Sequence, residues 1–235
     1  MAKFGVMVAR VALLVMASVL TTAASKPLAP PEHRNWNATV AVTPQGNHVL
    51  GNLAATIRLT EYISYTCPHC AHFETQADTP LRLGYVATGK LSVEVRHFVR
   101  DPVDLTVAML TNCGPSAKFF LNHAAFLRSQ DTWIQAMNTG SQAQRLRWSS
   151  GPMLTRRRAI AGDFHLYEIM QSRGYDRPAV DRCLADEAMA QRLAKQTQDA
   201  IAAGVEGTPT FAINGTLLAG THDWDLLQPQ LAARF

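Results

Sequence analysis

Ile57, Leu59, Ile63 and Tyr65 fall on one face of a chain read with a two-residue period, and Glu61 falls on it with them. β-branched and aromatic residues fill this stretch, which predicts a strand over 57–65. A second alternation sets Leu91, Val93, Val95 and Val99 against Ser92, Glu94 and Arg96, and predicts a strand with one wet face. Between the two, residues 71–88 have helical composition and stop at Gly89. Strand, helix, strand in that order makes a βαβ unit. A short strand over 39–43 precedes it, closed by the turn Pro44-Gln45-Gly46-Asn47.

From 101 to 203 the pattern changes to helical spacing. Leu105, Ala108, Met109 and Cys113 form one stripe, and Phe119, His123, Phe126 and Leu127 form another. Gly114-Pro115 and Ser149-Ser150-Gly151-Pro152 divide the region into separate helices, and a longer helix over 186–203 stops at Gly204. Strand signals return over 210–213 and 217–219, joined by Asn214-Gly215, a pair suited to the positive φ angles of a type I′ hairpin. A helix over 224–233 closes the chain. The expected fold class is α/β: one sheet assembled from 39–100 and 204–235, with an all-helical insertion over 101–203. Two independent β pieces would each bury too little apolar area to stand alone.

Charge adds little to this picture. The 235 residues carry 22 Lys and Arg against 18 Asp and Glu, a net +4, and two of those cations, Lys3 and Arg10, lie at the start. The remaining excess is too mild to argue for nucleic acid. The run Arg156-Arg157-Arg158 reads as a solvated helix face, with no aromatic interleaved to stack on bases.

The first residues are more telling. Lys3 and Arg10 flank an apolar stretch, Val11 to Leu20 is apolar apart from Ser18, and the small residues Thr21-Thr22-Ala23-Ala24-Ser25 follow. This is the order of a secretory signal peptide over 1–24, cut near Ala24. The competing reading is an N-terminal membrane anchor, but a spanning helix needs about 20 apolar residues and Arg10 interrupts too early. Residues 25–38, with Pro27, Pro30 and Pro31, then read as an extended mature terminus, and the mature protein as soluble in an exported compartment.

All four cysteines, Cys67, Cys70, Cys113 and Cys183, follow that segment. In an exported protein an even count points to disulfides, and spacing divides the four into a close pair and a distant one. Cys67-Pro68-His69-Cys70 lies where a strand gives way to a helix. There the first helical N–H groups and the positive end of the helix dipole favour a thiolate at Cys67. Pro68 is preset for the first helical position, and His69 adds a donor or a positive charge. Stabilising the thiolate stabilises the reduced form, which makes the disulfide a stronger oxidant. Glu61, six residues earlier on the apolar strand face, is a candidate for a buried acid that relays protons to Cys70; the plainer reading leaves it half exposed at a strand end. Gly207-Thr208-Pro209-Thr210 leads directly into a strand, and a cis-Pro209 there would present the Thr208 backbone to an extended substrate segment.

The run Glu61-Tyr62-Ile63-Ser64-Tyr65-Thr66-Cys67-Pro68-His69-Cys70-Ala71-His72-Phe73-Glu74 resembles the active-site segment of the DsbA family, the bacterial periplasmic disulfide oxidases. Gly207-Thr208-Pro209-Thr210-Phe211-Ala212-Ile213-Asn214-Gly215 resembles that family's cis-proline strand and hairpin. The resemblance implies a thioredoxin-like fold, with Cys67 an exposed nucleophile, Cys70 its buried partner, His69 tuning the pair and Glu61 the buried acid. It also implies a periplasmic dithiol oxidase that donates its Cys67–Cys70 disulfide to reduced exported proteins through a mixed disulfide at Cys67. No cofactor is expected beyond that disulfide, and a membrane quinone-linked reoxidase is the implied partner.

Cys113 and Cys183 read either as a structural disulfide pinning two helices or as two buried free thiols; a pair that modulates the active site is a further possibility. An isomerase or reductase of the same fold is the nearest rival function. Isomerases usually carry an N-terminal dimerisation domain, for which the fifteen or so residues after the cut leave no room, so a monomer is expected. From another class, Cys67, Cys70 and His69 could carry copper or zinc, but a lone CxxC makes a poor closed site. A chaperone with an incidental dithiol is a third reading, opposed by the pairing of the two motifs. His48, His72, His97, His123, His165 and His222 show no ligand spacing and read as surface or packed residues.

Overall fold

The computed structural model describes residues 1–2 and 34–235. The expected signal peptide and most of the expected extended terminus lie outside the described residues. The chain divides into two units, Met1–Arg34 and Asn35–Phe235, and the account below concerns the second. Its first element is a 3-10 turn, Trp36–Ala38, where the sequence reading has extended chain.

One six-stranded sheet runs through this unit. Its strands are β1 (Val40–Val42), β2 (His48–Gly51), β3 (Ile57–Ile63), β4 (Leu91–His97), β5 (Thr210–Ile213) and β6 (Thr216–Leu217), in the spatial order β1-β2-β4-β3-β5-β6. Only β3 and β4 are parallel; β2 and β5 flank them antiparallel. The central strand β3 therefore takes its neighbours from both ends of the chain, with Glu61 in register with Val95 on one side and Phe211 on the other. Asn214 and Gly215 turn the β5–β6 hairpin with φ of 50° and 85°, the positive values a two-residue turn of this hand requires.

The crossover from β3 to β4 begins with α1 (Pro68–Pro80), which runs on through a π turn and a 3-10 turn to Gly89. Gly89 adopts φ 76°, and a Cβ there would meet the Trp36 indole nitrogen at 2.6 Å. No other residue fits that stop. The helices α2 (Pro102–Thr111), α3 (Phe119–Arg128), α4 (Gln130–Trp133), α5 (Ala136–Thr139), α6 (Gln142–Ser149), α7 (Met153–Asp163), α8 (Leu166–Ser172), α9 (Arg177–Leu184) and α10 (Glu187–Ala202) follow, and α11 (Trp224–Ala232) ends the chain. Side chains of Asp101, Asp176, Asp186 and Asp223 cap α2, α9, α10 and α11 by accepting from the third helical N–H. Among the described residues, 101–203 holds no strand.

Strand β2 is absent from the sequence reading because all four of its residues are buried, which erases the two-residue alternation. The wet face expected of β4 is wet only at Arg96, whose side chain is 36% exposed. Ser92 and Glu94 are each 1% exposed, and β4 stops at His97, leaving Val99 in the following loop. Glu94 tolerates burial because its carboxylate accepts from the Asn47 amide at 2.7 Å and from Arg96 Nε at 2.9 Å. The basic run on α7 is likewise no solvated face. Arg157 is 3% exposed, forked onto Glu187 at 2.7 and 3.2 Å and donating to the Leu184 carbonyl. Arg156 turns back to the Trp148 carbonyl, and Arg158 alone stands half exposed, against Asp181.

Cys113, just past α2, is disulfide-bonded to Cys183 on α9, with their Cα atoms 5.6 Å apart. Three histidines distant in sequence meet around one ring: His48 stacks on Phe119 at 3.8 Å, and His97 and His123 lie 5.9 Å from it. All three are buried, and burial holds His48 down to about 4 and His97 and His123 down to about 3.

Candidate active site

Cys67 occupies the N-cap position of α1 and Pro68 its first turn. The backbone N–H groups of His69 and Cys70 therefore point at the Cys67 sulfur. The thiol of Cys70 foremost, then the side chain of Thr208 and those two N–H groups, bring Cys67 down to about 4, against the opposing cost of burial. Cys70, fully buried, is pushed well above the usual thiol range, by burial first and then by the Cys67 sulfur it donates to, with the Glu61 charge adding to it. The two thiols are thus driven apart by their surroundings.

Cys67 is 2% exposed, where the family resemblance implies an exposed nucleophile. The sulfur lies beneath the chain around Pro209: its thiol donates to the Thr208 carbonyl oxygen at 3.1 Å, and the Thr208–Pro209 peptide bond is cis. Pro68 and His69 beside it are exposed, so the sulfur sits one layer below solvent. The Thr208 hydroxyl is buried with no other partner.

Glu61 is buried under the dithiol rather than half exposed. Burial, with Glu74 and Asp78 nearby, lifts it to about 8. It lines a small cavity with Glu74, Asp78 and His123. Glu74 was not anticipated from the sequence, although its four-residue spacing from Cys70 places both on one helix face. Arg128 contacts Glu74 at 3.0 Å, yet burial and Asp78 outweigh it and raise the carboxyl to about 7. Neutral acids beside a dithiol can give and take protons near neutral pH.

The loop before Cys67 is braced from the helical region. Asp104 accepts from the Ser64 hydroxyl at 2.6 Å and the Tyr65 N–H at 2.7 Å. Asp101 accepts from the Thr66 hydroxyl at 2.7 Å, and the Gln130 amide donates to the Tyr65 and Cys67 carbonyls at 2.6 and 2.9 Å. None of these three carries a sequence signal: each depends on α2 or α4 folding against the loop. The structure thus brings together Cys67, Pro68, His69, Cys70, Glu61, Thr208 and Pro209. It keeps Cys113 and Cys183 elsewhere, joined to each other.

Residues 43–233 match a family model described as Thioredoxin. A crystal structure of a protein-disulfide isomerase from Novosphingobium aromaticivorans is 54% identical, with a TM-score of 0.78, over 80% of this chain and 96% of that one. DsbA1 of Wolbachia pipientis (the α form) shares the fold at a TM-score of 0.65 and 22% identity, over 82% of this chain and 92% of that one. A Rickettsia bellii protein, named provisionally as a protein-disulfide oxidoreductase, is 28% identical over 79% of this chain. That match spans 63% of the Rickettsia protein, so the chain covers less than two thirds of the length of this relative.

Proposed function

Because the chain belongs to the thioredoxin family, and shares the DsbA arrangement of it, we propose that it is a thiol:disulfide oxidoreductase acting as a dithiol oxidase on reduced proteins. The observation that carries this reading is the split between the two thiols: Cys67 held down to about 4 and Cys70 pushed up. A pair so divided is a good leaving group on one sulfur and a poor one on the other.

In the oxidised form a substrate thiolate attacks Cys67 Sγ. The Cys67–Cys70 bond breaks, its electron pair stays on Cys70, and Cys70 takes a proton, for which Glu61 is the nearby donor. A second substrate thiolate then attacks the substrate sulfur of the mixed disulfide. Cys67 leaves as its low-pKa thiolate, and the substrate departs with one disulfide, oxidised by two electrons. The reduced pair is the form described here, and a membrane quinone-linked reoxidase would return it to the disulfide. Thr208 and Pro209 would hold the substrate chain across Cys67. His69 acts on the sulfur through its backbone N–H.

The test is oxidation of a reduced, denatured ribonuclease by the oxidised protein, together with equilibration against glutathione. The expected outcome is stoichiometric disulfide transfer and a potential above that of glutathione; transfer by the Cys67→Ser variant would overturn the mechanism. The 54% identity to a protein-disulfide isomerase favours a second reading, isomerisation. Recovery of activity from scrambled ribonuclease separates the two, since an isomerase restores it and a pure oxidase does not.

A further inference from the structure

Two apolar clefts open on either side of Asp101 and Pro102, which line both. The first, about 240 Å³, has Leu105, Met153 and Ile160 in its wall; the second, about 320 Å³, has Val103, Met137 and Trp148. Met153 is 42% exposed, an apolar side chain left open to water beside an apolar floor. The rim is basic. Arg100 and Arg156 border the first cleft and Arg145 the second. Among the described residues none of the three pairs with a carboxylate: Arg145 donates to backbone carbonyls, Arg156 to the Trp148 carbonyl and the Met153 sulfur, and the Arg100 side chain makes no hydrogen bond or ion pair. The single acid on both rims, Asp101, is already engaged by the Thr66 hydroxyl and the Asp104 N–H. Thr66 directly precedes Cys67, so Asp101 on the two rims is one hydrogen bond and one residue from the reactive cysteine.

We propose that this double cleft is the docking site for the segment next to the reacting cysteine in a reduced substrate protein, and that it selects extended segments that are apolar and acidic. The inference rests on the reading of Cys67–Cys70 as a protein-thiol oxidant. Apolar side chains fill the clefts on either side of Pro102, while carboxylates meet Arg100, Arg145 and Arg156, which hold no competing anion. A basic segment meets three like charges and is rejected. The bond from Thr66 to Asp101 ties both clefts to the loop that ends at Cys67.

Binding is measured first without redox chemistry. A fluorescent peptide carrying serine in place of cysteine, flanked by Leu and Glu, is titrated onto the full protein by anisotropy, alongside its Leu/Lys counterpart. The acidic peptide binds at least about tenfold more tightly, the gap narrowing with salt. Arg100→Glu, at an exposed residue whose side chain makes no hydrogen bond or ion pair among the described residues, narrows the gap, and Arg145→Glu does the same from the second cleft. Both variants oxidise dithiothreitol at the unaltered rate. Equal affinity for the two peptides, or an unchanged preference in both variants, overturns the proposal. So does equal affinity for a peptide that keeps the Glu residues but has Ser in place of Leu, which marks a plain basic patch, or self-association in sedimentation that the acidic peptide reverses, which gives the cleft to a second copy. Oxidation of the cysteine form of the peptide is scored separately. If binding discriminates but no oxidation occurs, the cleft stands and the oxidase reading falls.

Discussion

The thiol of Cys67 donates to the carbonyl oxygen of Thr208 at 3.1 Å, across 141 residues of sequence. That bond exists only while Cys67 is protonated, because a thiolate has nothing to donate. With Cys67 held down to about 4, the proton is gone at neutral pH and the Thr208 carbonyl is left to accept from the N–H of an extended substrate. Alkylation by iodoacetamide, followed by mass spectrometry, reads this directly. Cys67 reacts at a rate that is flat above about pH 5 and drops below about pH 4, while Cys70 stays unmodified in the folded protein.

The Cys70 thiol lowers Cys67 most, the Thr208 side chain next, and the backbone N–H groups of Cys70 and His69 at the start of α1 add to them. His69→Pro deletes the His69 N–H at a helical position where proline is tolerated, and raises the Cys67 pKa by roughly one unit. His69→Ser keeps the N–H and moves it less. Thiolate absorbance against pH measures both; a larger shift in the serine variant would assign the effect to the imidazole instead.

Six buried groups set opposing pH trends in stability. Glu61, Glu74 and Asp104 have folded pKa values of about 8, 7 and 7, raised above their unfolded values. Their contribution is complete below about pH 4 and is lost as pH rises through 7 to 8. His48, His97 and His123 are lowered to about 4, 3 and 3. Their contribution is complete above about pH 6.5 and is lost as pH falls toward 3. In the Cys67–Cys70 disulfide form, where Cys67 does not titrate and adds no slope of its own, the two trends cancel between about pH 4 and 6.5, so urea midpoints of the oxidised protein form a plateau there and decline on both sides. Glu61→Gln removes the largest alkaline component, and its midpoint falls less steeply above about pH 6.5. An unchanged alkaline slope would show that Glu61 is ionised throughout.

Cys113 and Cys183 close a 70-residue loop within the helical region. Replacing both with serine costs roughly 4 kcal/mol in the chain-entropy description of the unfolded state. Because neither sulfur belongs to the Cys67 site, disulfide transfer at a temperature where the variant is folded stays within about twofold of the original. A denaturation curve and a ribonuclease oxidation assay on the same preparation measure the two effects.

Local patterns predict β3, β4, α1, the Asn214-Gly215 hairpin and the helical region, because each announces itself by a period or a turn residue. Strand β2 does not, since burial on both faces removes its alternation. Arg157 and Glu94 mislead for a related reason: charge implies solvent unless a partner is known, and Glu187 and Asn47 are distant in sequence. At the site, Cys67, Cys70, Glu61 and Pro209 can be read from two short motifs. Asp101, Asp104 and Gln130 cannot, because what they do depends on helices that dock onto the loop only in the folded chain.

The Thr208 contact also orders events in time. A chain made or exported from its N-terminus presents Cys67 and Cys70 first and Thr208 last. Until β5 joins the sheet beside β3, the sulfur has its helix but lacks both the carbonyl above it and the hydroxyl that helps hold its charge. Competence is therefore completed as a final assembly event: a half-delivered chain carries a cysteine pair tuned by its helix alone, and the finished sheet adds the rest of the site.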